Sequence, residues 1–75
     1  MELESFIKNF AEQFDDTDIS AINANTEFQQ LEEWGSLVAM GVIAFVRTEY
    51  GKAISGSEIR SCKTVEELYN LIQSK

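Results

Sequence analysis

Residues 32–51 read EEWGSLVAMGVIAFVRTEYG, and this segment carries the strongest indication of the fold class. Every residue from Leu37 to Val46 except Gly41 is apolar, and the segment shows no alternation of apolar and polar residues, so a helix is predicted rather than a strand. The helix should run from Ser36 to Tyr50. It should stop at Gly51, because glycine readily adopts the left-handed conformation that ends helices.

The predicted helix is apolar on more than one side. At roughly 100° per residue, one stripe faces the core, while Leu37, Met40 and Ala44 form a second apolar strip beside Ser36. Three partner helices can hardly cover so apolar a helix in a small domain, so we expect Leu37 and Met40 to contact a partner protein. For Phe45 we expect packing against the preceding loop. The core stripe consists of Ala39, Val42, Ile43, Val46 and Tyr50.

Three more helices are predicted around this one. Ser55 with Glu58, and Thr64 with Glu67, match the capping box that starts helices. The first box opens a short helix holding Ile59, and the second opens the last helix. The helix-one stripe consists of Leu3, Phe6, Ile7, Phe10 and Phe14, and the inward face of the last helix consists of Val65, Leu68, Tyr69 and Ile72.

A long loop, Asp15–Gly35, separates the first two helices. It is rich in Asp, Asn, Thr and Ser, and a loop of this length in a small domain is usually functional. It lacks the central Gly and closing Glu of the twelve-residue calcium loop. The fold class is therefore all-α: a four-helix bundle of three longer helices and one short one. The loop should be pinned by isolated apolar residues, namely Ile19, Ile22, Phe28, Leu31 and Trp34.

Composition limits the class of partner. The 75 residues suit one domain spanning positions 1–75, and the formal charge of −7 argues against nucleic acid. An acidic surface fits a basic partner, although charge alone favours a simple role in solubility. Cys62 is the only cysteine, so we expect it to pack in the core of a monomer in the reducing cytoplasm. No signal peptide and no membrane span are expected.

The residues argue against intrinsic catalysis. The chain contains no histidine, so neither Ser36 nor Cys62 has the usual base to activate it, and no metal site is expected. We therefore predict that the protein is not an enzyme. A serine in the first turn of a helix can bear a phosphate, because free N–H groups and the helix dipole stabilise an anion there. Serine at a helix start is more commonly just a cap.

Four motifs in order resemble the acyl carrier protein family. They are Thr26-Glu27-Phe28 in the loop, Trp34-Gly35-Ser36-Leu37 at the start of the apolar helix, Glu49-Tyr50-Gly51-Lys52-Ala53-Ile54 after it, and Thr64-Val65-Glu66-Glu67-Leu68 at the last helix. The resemblance spans nearly the whole chain and keeps the spacing of the family.

The resemblance implies a function for Ser36. In the family, a serine at this position receives 4′-phosphopantetheine from coenzyme A through a magnesium-dependent phosphopantetheinyl transferase. The arm then carries an acyl or aminoacyl group as a thioester, loaded by a ligase or synthase. Partner recognition would fall to Glu32, Glu33, Trp34, Gly35, Leu37 and Met40. An acyl pocket would be lined by Val42, Val46, Ile54 and Ile59, for which ordinary core packing is an equal alternative.

Two departures from the family pattern matter. Val38 and Gly41 stand where carriers of fatty-acid synthesis usually have acids, which favours a specialised pathway. Gly35 replaces the Asp of the Asp-Ser-Leu motif, which should leave the fold intact but remove a charge that the transferase recognises. The alternative hypothesis is an unmodified interaction module with the carrier fold, binding a protein through Leu37, Met40 and Glu32.

Overall fold

Four α-helices follow one another along the chain. The computed structural model describes residues 2–75, and no β-strand occurs among them. The helices are α1 (Leu3–Ala11), α2 (Ser36–Tyr50), α3 (Gly56–Arg60) and α4 (Val65–Gln73). The long helix α2 packs against α3, and α1 packs against α4. The predicted all-α bundle of three longer helices and one short helix is confirmed.

One apolar core connects the helices with the long loop. Phe6 is fully buried in α1, and its ring centroid lies 5.7 Å from that of Phe45, 5.9 Å from that of Tyr50 and 5.5 Å from that of Tyr69. Aromatic side chains at these spacings bury large apolar areas and dominate the stability of a small core. The predicted helix-one stripe is buried at Phe6, Phe10 and Phe14 and half-buried at Leu3 and Ile7.

Helix α2 has the predicted boundaries. Gly51 adopts a left-handed conformation with φ of 65°, and its N–H donates to the carbonyl of Arg47. Phe45 packs against Phe6 of α1 and against Tyr50, two contacts that the sequence did not predict. Gly41 leaves room for the side chain of Gln13, which follows α1, since a Cβ at Gly41 would lie 2.7 Å from Oε1 of Gln13.

The two predicted capping boxes have different outcomes. Ser55 Oγ accepts from the N–H of Glu58 at 3.2 Å, and Glu58 Oε1 accepts from the N–H of Ser55 at 2.9 Å, so the first box is confirmed. Thr64 Oγ1 accepts from the N–H of Glu67 at 3.2 Å. The Glu67 carboxylate, however, accepts from the N–H of Lys63 at 2.8 Å, one residue before the cap. The second box is therefore only half formed.

The long loop is ordered by two single 3₁₀ turns, Ile19–Ala21 and Phe28–Gln30, which its sequence did not predict. Ile22 and Phe28 are buried as expected, whereas the Ile19 side chain is 53% exposed, so its predicted role as an anchor was wrong. Carbonyl groups of the loop at Ala24 and Thr26 accept from the first two N–H groups of α4, at 3.0 and 3.1 Å. These bonds satisfy donors that no partner within the helix can reach.

Candidate functional site

Ser36 is the first residue of α2, and its hydroxyl is available for reaction. The side chain is exposed and forms no hydrogen bond with any other group of residues 2–75. Gly35, with extended backbone at φ −176°, is the capping residue, and no side chain caps the helix. Ser36 is therefore not acting as a cap, which was the commoner alternative for a serine at this place.

The start of α2 is electrostatically open to an anion. The first turn contains no acidic residue, and the leading N–H groups donate no hydrogen bond to a capping side chain. Such groups carry the positive end of the helix dipole, so a phosphate on Ser36 would be stabilised there. A Cβ on Gly35 would meet no atom within 4 Å, so the cap position has room for a side chain.

A surface groove of about 230 Å³ lies beside Ser36. Its lining residues come from the start of α2, from α3 and from the loop before α2. The groove brings Ser36 together with Ile59, one of the four predicted pocket residues. Its lining consists of Gln29, Trp34, Gly35, Ser36, Ala39, Gly56, Ile59 and Arg60.

Trp34 fixes the backbone that precedes Ser36. Its indole ring lies 6.2 Å from the ring of Phe10 in a stacked arrangement and 4.9 Å from the ring of Phe28 in an edge arrangement. It also contacts Phe14. The sequence assigned Trp34 to partner recognition, and the structure places most of its contacts inside the domain, on the aromatic core.

Glu33 ties the start of the loop to its end. Its carboxylate accepts from the N–H groups of Asp15, Asp16 and Thr17 at 2.6, 3.0 and 2.8 Å, and from the Thr17 hydroxyl at 2.7 Å. The Thr17 hydroxyl and these N–H groups hold the pKa of Glu33 below its ordinary value, against a smaller effect of desolvation. Glu33 thus has a structural role, whereas the neighbouring Glu32 is exposed and accepts no hydrogen bond within residues 2–75.

Replacing Glu33 with glutamine is expected to destabilise the protein at neutral pH, because an amide accepts fewer and weaker hydrogen bonds than a carboxylate. The lowered pKa means that this stabilisation is present above the ordinary value of 4.5 and is lost as pH falls through the folded-state pKa. The stability difference between wild type and Glu33→Gln should therefore shrink on acidification.

Urea denaturation at pH 7 and at steps down to about pH 3 measures this difference. Glu32→Gln is the matched control, because it removes the adjacent charge without removing a hydrogen bond, and its effect should be small at every pH. Equal losses from both substitutions would contradict the role assigned to the Glu33 carboxylate.

The exposed strip beside Ser36 is present as predicted. The side chain of Leu37 is 82% exposed and that of Met40 is 65% exposed, and Ala44 is also exposed. Large apolar side chains at such exposure on one helix face, next to a free hydroxyl, form a surface suited to contact with another protein. Whether a partner covers it stays a prediction.

The predicted pocket residues belong to the core. Val42 and Val46 are fully buried, and Ile54 and Ile59 are 7% and 1% exposed. All four pack in one cluster of buried residues. Of the four, Ile59 also lines the groove beside Ser36, so the groove reaches the core from the α3 side.

Cys62 is a packing residue. Its thiol is buried, donates to the carbonyl of Glu58 at 3.4 Å, and has a raised pKa, caused mainly by burial. A high pKa keeps the thiol protonated and unreactive. Among residues 2–75, no group of three or more His, Cys, Asp or Glu side chains is placed to hold a metal ion, and no helix has the length and apolar character to cross a bilayer.

Gln29 and Arg60 are groove residues that the sequence did not indicate. The Gln29 side-chain amide donates to the carbonyl of Cys62 at 2.7 Å and to those of Ile59 and Arg60 at 3.3 Å, which fixes the loop against the end of α3. A lone glutamine in a polar loop gives no periodic signal, so only the folded chain shows that it meets α3.

Comparison of the chain with protein-family models, with curated proteins and with solved structures finds no match in any of the three.

Proposed function

We propose that the protein is a carrier that bears an acyl or aminoacyl group as a thioester on a 4′-phosphopantetheine arm attached to Ser36. The observation that carries the proposal is the exposed, unbonded hydroxyl of Ser36 at a helix start with no side-chain cap. A structural serine at this position would be expected to cap the helix, whereas this one leaves its oxygen free for a modifying enzyme.

The surroundings of Ser36 fit such an arm. The hydroxyl oxygen would bond to the pantetheine phosphate of coenzyme A and displace adenosine 3′,5′-bisphosphate, with the hydroxyl proton passing to the transferase. Free N–H groups at the start of α2 would stabilise the resulting phosphodiester. The bound arm supplies a thiol, on which the cargo is carried. The chain itself then needs no catalytic group.

The partners follow from the surface next to the attachment point. A phosphopantetheinyl transferase and a loading ligase or synthase would dock on exposed Leu37 and Met40, with Glu32 contributing a charge at the edge. This surface is more apolar than acidic, which favours a specialised pathway over housekeeping fatty-acid synthesis. The carrier would act as a monomer in the cytoplasm.

A second candidate function is an arm-free interaction module that binds a protein through the same surface. The observation in its favour is Gly35, which places no carboxylate next to Ser36 for a transferase to recognise. The two candidates differ in a single property, namely whether Ser36 is modified.

Incubating the unmodified protein with coenzyme A, magnesium and a transferase of broad specificity tests the carrier proposal. The intact mass of the wild type should rise by one phosphopantetheinyl group, and that of Ser36→Ala should not change. Ser55 is a useful second control, because its hydroxyl also opens a helix but is bonded in the capping box. A wild-type mass that never rises, or a rise that persists in Ser36→Ala, would overturn the proposal.

A further inference from the structure

The groove beside Ser36 differs in charge from the rest of the molecule. The chain has 13 acidic and 6 basic residues, yet the residues lining this groove include no carboxylate. Their only charged group is the guanidinium of Arg60. An anion in the groove would therefore meet a cation locally, despite the formal charge of −7 on the whole chain.

The Arg60 guanidinium is not engaged elsewhere. Among residues 2–75 it forms no ion pair and donates no hydrogen bond; the ion pair that includes an α3 residue joins Glu58 to Lys75 at 2.6 Å. The Glu58 carboxylate also accepts from the N–H of Ser55. The nearest acid of the same helix is thus occupied, which leaves the positive charge of Arg60 uncompensated.

The guanidinium lies close to a residue of the groove. Its Nη1 atom lies 3.4 Å from the place where a Cβ of Gly56 would be, one turn back along α3, and Gly56 itself lines the groove. The Arg60 backbone is held in place, because its carbonyl accepts a hydrogen bond from the Gln29 amide at 3.3 Å. A fixed backbone and an unpaired side chain favour binding of an incoming group.

We propose that Arg60 binds the phosphate group attached to Ser36 and holds the base of the arm in the groove, over Ile59. This inference rests on the proposed function. Ser36 lines the groove from α2 and Arg60 lines it from α3, so a group on the serine oxygen would border the groove that also holds Arg60. The planar guanidinium forms two parallel hydrogen bonds with phosphate oxygens, which an ammonium group cannot reproduce. Arg60 is thus a positioning residue for the arm.

The competing account is that Arg60 is a solvated arginine whose aliphatic stem merely covers apolar surface. The test compares Arg60→Gln with Arg47→Gln, an identical substitution at an exposed position of α2 that does not line the groove. Both variants and the wild type are modified with coenzyme A and transferase, and modification is confirmed by intact mass before the spectra are recorded.

The readouts are the ³¹P resonance of the arm and the Nε–Hε resonances of the arginines. In the wild type, modification should shift the Nε–Hε signal of Arg60 and not that of Arg47. Relative to the modified wild type, the ³¹P chemical shift of the arm should change in Arg60→Gln and its line should narrow. Neither change should occur in Arg47→Gln. In Arg60→Lys, modified in the same way, the ³¹P shift should lie between those of the wild type and Arg60→Gln. Raising NaCl from about 0.05 to 0.5 M should reduce the shift of the Arg60 Nε–Hε signal that modification causes in the wild type.

Mass gain and the ³¹P spectra together separate the carrier proposal from the role of Arg60. A wild type that gains no mass overturns both the carrier proposal and the role of Arg60. A wild type that gains the expected mass, with ³¹P spectra identical to those of Arg60→Gln, overturns the role of Arg60 alone and leaves the carrier proposal standing.

Discussion

Replacing Gly35 with aspartate is expected to accelerate the modification of Ser36 by one to two orders of magnitude. The carboxylate restores the Asp-Ser-Leu pattern and gives the transferase a charged hydrogen-bond acceptor, which contributes about 1.5–3 kcal/mol. At about 1.4 kcal/mol for each factor of ten, that energy corresponds to the predicted change in rate. The fold should tolerate the substitution, because the backbone at Gly35 is extended and a Cβ would meet no atom within 4 Å.

The control for this experiment is Gly35→Asn, which separates recognition from capping. Asparagine and aspartate cap helices about equally well, and each should raise the free energy of unfolding by a few tenths of a kcal/mol relative to glycine. Asparagine lacks the charge, so its rate of modification should stay close to that of the wild type. The measurement is the initial rate of mass gain at fixed coenzyme A. Equal acceleration by both variants would show that helix capping, and not the charge, limits the reaction.

Replacing Phe28 with alanine is expected to have the largest effect on stability, a loss of about 3–5 kcal/mol. Phe28 is fully buried although it lies in the loop, and its ring is 5.4 Å from that of Phe10 and 4.9 Å from that of Trp34. At 0.05–0.15 kcal/mol per residue, a chain of this length is stable by roughly 4–11 kcal/mol. The substitution would therefore remove much of the stability, and Trp34 would lose the contact that fixes the start of α2.

Ile19→Ala is the matched control for Phe28, since both residues are apolar and both lie in 3₁₀ turns of the same loop. Truncating the exposed Ile19 side chain should change the free energy of unfolding by less than about 0.5 kcal/mol. Urea denaturation followed by circular dichroism measures both free energies of unfolding. A loss at Phe28 no greater than that at Ile19 would mean that the loop is not part of the core.

The helices could be predicted from sequence because their signals are local. The apolar run of α2, the left-handed Gly51 and the Ser55 capping box each involve residues close together in the chain, and each was confirmed. The Thr64 prediction failed in part, since the motif specifies a carboxylate at the right spacing but not which N–H it reaches. The side chain of Glu67 reaches back to Lys63 instead.

The site could be predicted only in part, because its remaining features depend on contacts between distant residues. The exposure of Leu37 and Met40 could be predicted, because three partner helices are too few to cover every side of α2. The recognition role that the resemblance implies for Glu33 gave no indication that its carboxylate binds backbone groups 16–18 residues away. Likewise Phe45 meets Phe6 of α1, and Arg60 meets the groove of Ser36, through packing that no short motif encodes.

The structure connects the loop, the helix start and the groove into one site. Trp34 anchors the chain before Ser36 to the aromatic core, Glu33 closes the loop on itself, and Gln29 ties the loop to α3. These contacts leave Ser36 exposed on a fixed support. Fixed presentation of an exposed hydroxyl suits modification by a separate enzyme, because the serine can enter an active site without a costly rearrangement of its surroundings.

Whether Ser36 is modified is tested most directly by the intact mass of the protein purified from its own cells, followed by fragmentation to locate any added group. We expect a phosphopantetheinyl group on Ser36, with or without an acyl or aminoacyl cargo on its thiol. An unmodified protein that nevertheless co-purifies with a partner bound at Leu37 and Met40 would contradict this expectation and establish the arm-free interaction module.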